Sequence, residues 1–210
     1  MCNNEWLFSP YNLESWNKSN NRVLLVASEP NGDNPNGGVR DMGNWFRTAN
    51  LENNYHSNKM FYNRCKIIVD GIVPPSNEAT FNHMRFFDLK ATGGHASSNK
   101  RVVSRYVNDN FEKVLEYFIS ENYAFGYKPH IIVLLGNIAY EVFDLLIRHH
   151  LVARNQNIKW IRLPHPSAQT VHNKYFIAAC SEINNRLVAI NENPYKWYCR
   201  GESDNGWLRR

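Results

Sequence analysis

Four short runs of apolar residues, each bounded by turn-forming residues, predict four buried β-strands. They cover residues 22–27, 85–89, 130–135 and 158–163. Runs that are apolar at nearly every position, rather than at every second one, are typical of strands covered on both faces. The pattern therefore predicts a central, mainly parallel four-stranded sheet.

Between these runs, apolar residues recur at three- and four-residue steps, which is the spacing of an amphipathic helix. Helices are predicted over 100–120, 137–150 and 173–190, and Ser97 or Ser98 is the expected N-cap of the first. Strands that alternate with such helices predict an α/β fold, here a three-layer α/β/α sandwich.

Length and composition fit one globular domain. The chain has 210 residues, of which 43% are hydrophobic, so a disordered chain is excluded. We expect one domain over 1–210, with its core at about 22–190 and a C-terminal tail at 191–210. Lys and Arg number 24 against 19 Asp and Glu, and the resulting net charge of +5 favours a polyanionic partner without identifying it.

Cysteine spacing gives no sign of a metal site. The four cysteines are Cys2, Cys65, Cys180 and Cys199. They stand far apart, without a C-x-x-C pair, so we expect structural thiols, no metal and no cofactor. The sequence shows neither a leader pattern nor a run of about 18 apolar residues. We expect a cytoplasmic, prokaryotic monomer that does not bind membranes.

Two residues that follow predicted strands are candidates for catalysis. Ligands of parallel α/β sheets bind beyond the carboxyl ends of the strands. Glu29 follows the first strand and precedes Pro30, and a carboxylate there can orient or deprotonate a water. His165 lies between two prolines after the fourth strand and can donate to a developing anion. For each residue there is an alternative to catalysis. Glu29 would cap the next turn, and His165 would only stabilise its loop by hydrogen bonding.

Three motifs of other function classes are absent from the sequence. It contains neither G-x-G-x-x-G nor G-x-x-x-x-G-K-[ST], so dinucleotide and P-loop nucleotide binding lack their main support. It also lacks the G-x-S-x-G nucleophile elbow of α/β-hydrolases.

Five segments, taken in order, resemble the motifs of the uracil-DNA glycosylase superfamily. They are Ala27-Ser28-Glu29-Pro30-Asn31, Pro74-Pro75-Ser76, Phe87-Asp88-Leu89-Lys90-Ala91, Gly136-Asn137 and His165-Pro166-Ser167-Ala168-Gln169-Thr170. They are similar to that family's water-activating motif, proline-rich loop, base-reading strand end, Gly-Ser loop and H-P-S-P-L-S motif. The resemblance spans residues 22–172, and most of the segments follow a predicted strand.

The resemblance implies cleavage of an N-glycosidic bond in double- or single-stranded DNA, after the nucleotide is flipped into a pocket. Glu29 would position the water, and His165 would hydrogen-bond O2 of the departing pyrimidine. Because no lysine occupies the family's water position, the resemblance implies a monofunctional glycosylase that leaves an abasic site without a Schiff-base step.

The same resemblance implies further DNA contacts. Backbone contacts would come from Pro75, Ser76, Gly136 and Ser167, with Gln169 in place of the family's wedge leucine. Base-binding positions would be Asn31, Asn137, Asp88 or Lys90, and one of Trp45 and Phe46. For the two aromatic residues, the alternative is a core pair on a helix.

Two differences from the family bear on the substrate. Asn31 and Gly32 stand where uracil-specific members carry a tyrosine that blocks C5 substituents. Asp88, or Lys90 in a shifted register, replaces the asparagine that pairs with uracil. An ionised carboxylate only accepts hydrogen bonds, so Asp88 would suit the 4-amino group of cytosine.

We therefore expect the substrate to be a C5-modified cytosine, hydroxymethylated or glucosylated, and the role to be defence against phage DNA. Three alternatives stay open. They are a repair glycosylase for uracil or other deaminated bases, a non-catalytic DNA-binding relative, and an unrelated α/β hydrolase of small molecules.

Overall fold

A computed structural model describes residues 13–29, 46, 61–62, 64–66, 68–69, 72–73, 80–91, 99–119, 129–153 and 159–167. The strands are β1 Val23–Ala27, β2 Met84–Asp88, β3 Ile131–Leu135 and β4 Lys159–Leu163. The α-helices are α1 Leu13–Lys18, α2 Lys100–Asp109, α3 Phe111–Ile119, α4 Asn137–Val142 and α5 Arg148–Ala153, with a 3₁₀ helix at Thr80–His83 and a π-helical turn at Phe143–Ile147. No helix in these ranges is long and apolar enough to cross a membrane.

The four strands form one parallel sheet in the order β2-β1-β3-β4. Each observed strand lies within one residue of its predicted bounds at either end. Every neighbouring pair is parallel, and the chain crosses over β1 between β2 and β3. The prediction of an α/β fold with a parallel four-stranded sheet is therefore confirmed.

Adjacent residues of β2 show how both faces of the sheet are covered. Phe86 contacts Phe46 and Phe61, with ring centroids 6.2 and 5.8 Å apart. Phe87 contacts Phe118 of α3, with centroids 5.5 Å apart. Because successive side chains of a strand point to opposite faces, the two phenylalanines pack into different layers. The sheet is thus the middle layer of an α/β/α sandwich.

The predicted helix over 100–120 is divided at Asn110. Its backbone leaves the helical conformation, with φ −120° and ψ 23°, and its side chain donates to the carbonyl of Tyr106 over 2.9 Å. At the other end, the N-cap is Asn99, whose Oδ1 accepts from the N–H of Arg101 over 2.9 Å. The prediction of Ser97 or Ser98 as the N-cap is therefore wrong. The predicted helix at 173–190 lies outside the described residues.

We expect Phe86→Ala to lower the free energy of unfolding by about 3–5 kcal/mol, because it leaves a cavity among packed rings. Phe86 is only 4% exposed. Urea denaturation measures the change. The control is Val102→Ala on α2, where Val102 is 49% exposed and the expected loss is below about 0.5 kcal/mol. Equal losses in the two variants would contradict this description of the core.

Candidate functional site

Four polar side chains follow the carboxyl ends of the four strands at the same level. In sheet order they are Lys90 after β2, Glu29 after β1, Asn137 after β3 and His165 after β4. The last paired residues of the strands stand two positions earlier in the chain. They are Ala27 with Asp88, and Leu135 with Leu163. We call these four residues the strand-end row. Strands lie about 4.8 Å apart, so the ends of β1 and β4, which Glu29 and His165 follow, are separated by about 10 Å, with β3 between them.

Glu29 forms a buried ion pair with Lys90. The distance from Lys90 Nζ to Glu29 Oε2 is 2.9 Å, and the two side chains are 10% and 5% exposed respectively. The backbone brings them level, because the N–H of Lys90 donates to the carbonyl of Ser28 over 3.0 Å. A carboxylate removed from water needs a compensating partner, and Lys90 supplies the counter-charge.

This ion pair bears on two expectations from the sequence. Lys90 was an alternative base-reading residue, but its ammonium group contacts Glu29. Glu29, not a lysine, stands at the water position, and the structure adds a lysine beside its carboxylate, since Lys90 follows the neighbouring strand. Asp88, the last residue of β2, is 1% exposed and stays the candidate reader.

His165 is held as a neutral hydrogen-bond donor. Burial lowers its pKa to about 4, so the ring is uncharged at neutral pH. Its Nδ1 accepts from the N–H of Ser167 over 3.2 Å. A neutral imidazole has one accepting and one donating nitrogen, so the proton is assigned to Nε2. The ring therefore offers an N–H without adding a positive charge to the site.

The His165 loop is supported by residues distant in sequence. Arg64, which is 5% exposed, donates from Nη1 to the carbonyl of Pro166 over 2.7 Å. Phe61 packs its ring 6.0 Å from the His165 ring. Sequence reasoning missed both, because neither residue belongs to a recognisable motif and both contacts depend on tertiary structure.

Gly136 lies directly beside the His165 loop. Its φ is +86°, a backbone conformation that favours glycine, and a Cβ there would stand 3.4 Å from Cβ of His165. Its N–H donates to the carbonyl of Leu163 over 2.7 Å. The residue thus joins the end of β3 to the end of β4.

Asn137 begins α4, and its side chain is oriented by β4. Its Oδ1 accepts a hydrogen bond from Nη2 of Arg162. The guanidinium carbon of Arg162 also lies 4.7 Å from the centre of the Tyr140 ring. These contacts fix the amide at the edge of the sheet. Among the described residues, no group of three His, Cys, Asp or Glu side chains is arranged to hold a metal ion.

The remaining candidate residues have different placements. Phe46 is 2% exposed, and its ring centroid lies 4.7 Å from that of Phe81, which favours the core alternative over a base-stacking role. Ser167 belongs to the His165 loop through its N–H. The candidates outside the described residues are Asn31, Trp45, Pro75, Ser76 and Gln169.

No protein-family model matches the chain, and no curated protein matches it. Any assignment of function therefore depends on the order of the five segments and on the chemistry of the strand-end row. That row combines a buried carboxylate, its lysine partner, an oriented amide and a neutral imidazole donor.

We expect Lys90→Met to lower the free energy of unfolding by about 3–5 kcal/mol, because it leaves Glu29 buried without a counter-charge. Adding Glu29→Gln to the same chain should recover part of the loss by removing that charge. Urea denaturation of the wild type, both single variants and the double variant measures the coupling. Strictly additive losses would contradict a direct ion pair.

The low pKa of His165 predicts a pH dependence of stability. The folded chain protonates this ring only near pH 4, whereas the ordinary value is 6.5. The unfolded chain therefore binds more protons between these values, and the free energy of unfolding falls as the pH is lowered through them. In His165→Gln this fall should be shallower, as measured by urea denaturation across the same pH range. The pKa of His130 is also lowered by burial, so that ring gives the same contribution in both proteins. An unchanged profile would contradict a neutral His165 in the folded chain.

Proposed function

We propose that the chain is a DNA glycosylase that hydrolyses the N-glycosidic bond of a pyrimidine nucleotide flipped out of the DNA stack. The observation that carries this proposal is the placement of buried Glu29 and neutral His165 in one row, with one strand between them. Breaking this bond makes the sugar positive and the base negative. A carboxylate and an uncharged N–H donor complement these two opposite charges.

Glu29 acts on the sugar side of the bond. Within the described part of the chain, Lys90 is the side chain bonded to this carboxylate, and it uses Oε2. Oε1 can then accept a hydrogen bond from the attacking water. The bond from C1′ to the base breaks first, and the negative charge of Glu29 stabilises the oxocarbenium-like sugar that results. The water oxygen then bonds to C1′, and its proton passes to the carboxylate.

His165 acts on the base. The electron pair of the broken bond moves into the pyrimidine, where O2 gains negative charge. Nε2–H of His165 donates to that oxygen, while Nδ1 is already engaged by the N–H of Ser167. Because the pKa of His165 is about 4, the ring stabilises the anion by hydrogen bonding rather than by transferring a proton at neutral pH. The base then takes its proton from solvent.

For the substrate we propose a C5-modified cytosine, hydroxymethylated or glucosylated, and a role in defence against phage DNA. Asp88 is the last residue of β2 and stands two positions before Lys90, the partner of Glu29. A desolvated carboxylate can accept a hydrogen bond from the 4-amino group of cytosine. In uracil the same position holds O4, which is itself an acceptor and cannot donate to the carboxylate. The enzyme would act as a cytoplasmic monomer in a prokaryotic cell, without a cofactor.

The direct test is base release from duplexes that contain uracil, a thymine mismatch, 5-hydroxymethylcytosine or its glucosylated form, followed by alkali to break abasic sites. We expect strand breaks at a modified cytosine, and a rate about 10²–10⁴-fold lower for Glu29→Gln. The control Glu14→Gln changes an exposed glutamate on α1 and should keep the wild-type rate.

Cleavage of uracil-containing DNA alone would contradict the modified-base substrate and leave a repair glycosylase. No abasic product from any of the duplexes would contradict the glycosylase proposal itself.

A further inference from the structure

The outer face of α2 carries positive charge along its first turns. We define the α2 basic face by the side chains that line it, namely Lys100, Arg101, Ser104, Arg105 and Asn108. The opposite side of the helix buries Val103 and Val107 against the core. An open groove of about 640 Å³ runs along the basic face, with Asp109 at its far end.

Among the described residues, Arg101 and Arg105 form no ion pair, whereas Lys18 and Arg148 each do. Lys18 pairs with Glu14, and Arg148 pairs with Asp144, each within one helical turn at 2.5 and 2.8 Å. In the described part of the chain, neither guanidinium of the two α2 arginines takes part in an ion pair. Like charges one turn apart destabilise a helix by a few tenths of a kcal/mol. This spacing favours an external anion as the partner.

The first turn of α2 is linked to the strand-end row through α4. In the described part of the chain, α2 is the helix that follows β2. Lys100 Nζ is 2.6 Å from Glu141 Oε2, which ties this turn to α4. α4 itself begins with Asn137 of the strand-end row. A nucleic-acid strand that delivers a nucleotide to the row would pass the start of α2.

We propose that the α2 basic face binds the phosphate backbone of the DNA from which the strand-end row takes its nucleotide. This proposal rests on the proposed function. Arg101 and Arg105 present planar guanidinium groups that pair with phosphate oxygens, and Ser104 and Asn108 add neutral donors. Phosphate contacts carry no sequence information, so the face would bind modified and unmodified DNA alike.

Fluorescence anisotropy of a short labelled, unmodified duplex, titrated with the full chain over a series of salt concentrations, tests the proposal. Arg101→Gln and Arg105→Gln should each weaken binding at low salt and reduce the slope of log K against log salt by about 0.9. Glutamine has a helix propensity close to that of arginine, so α2 should stay folded. The matched control Lys113→Gln removes one charge from an exposed position of α3, beyond the far end of α2, and should keep the wild-type slope.

If the slopes for the two arginine variants equal the slope for Lys113→Gln, the proposed role of the α2 basic face is wrong. Base release by the wild type would still support the proposed function in that case. No salt-dependent DNA binding by the wild type would overturn both proposals. Reduced slopes for the arginine variants, together with no base release from any duplex, would support the basic face and contradict the glycosylase.

Discussion

Parallel pairing of the four strands is the constraint on which the candidate site depends. It places every strand's carboxyl end at one edge, so Glu29 and His165 lie at the same edge of the sheet although they stand near opposite ends of the described chain. A register slip of one residue would turn each side chain to the other face of the sheet. Phe86 and Phe87 oppose such a slip, because each packs into a different layer. The core therefore fixes the level at which Lys90 faces Glu29.

Loss of contact with water has opposite consequences for the two candidate catalytic groups. Burial makes a lone charge costly, and Glu29 is compensated by the ammonium group of Lys90, which follows the neighbouring strand. His165 has no such ion pair among the described residues, and burial lowers its pKa until the ring is neutral. One edge of the sheet thus holds a compensated carboxylate and an uncharged donor. In the proposed reaction, the first acts on a positive sugar and the second on a negative base.

Local pattern in the sequence was enough to predict the strands and most of the helical positions, because buried parallel strands are continuously apolar and their helices are amphipathic. It also singled out Glu29 and His165, since both follow such strands. The pairing of Glu29 with Lys90 was not predictable, because it depends on β1 and β2 being neighbours. The contact of Arg64 with Pro166 likewise requires the tertiary fold. Asn110 divides a helix whose apolar spacing continues through it, so the periodicity gave no sign of the break.

The glycosylase proposal is tested most directly by a crystal structure of the Glu29→Gln variant bound to duplex DNA that contains a glucosylated hydroxymethylcytosine. It predicts that the modified nucleotide lies outside the base stack, with C1′ facing residue 29 and O2 of the base within hydrogen-bonding distance of Nε2 of His165. A nucleotide that stays stacked in the duplex, or a DNA strand bound away from the strand-end row, would contradict it.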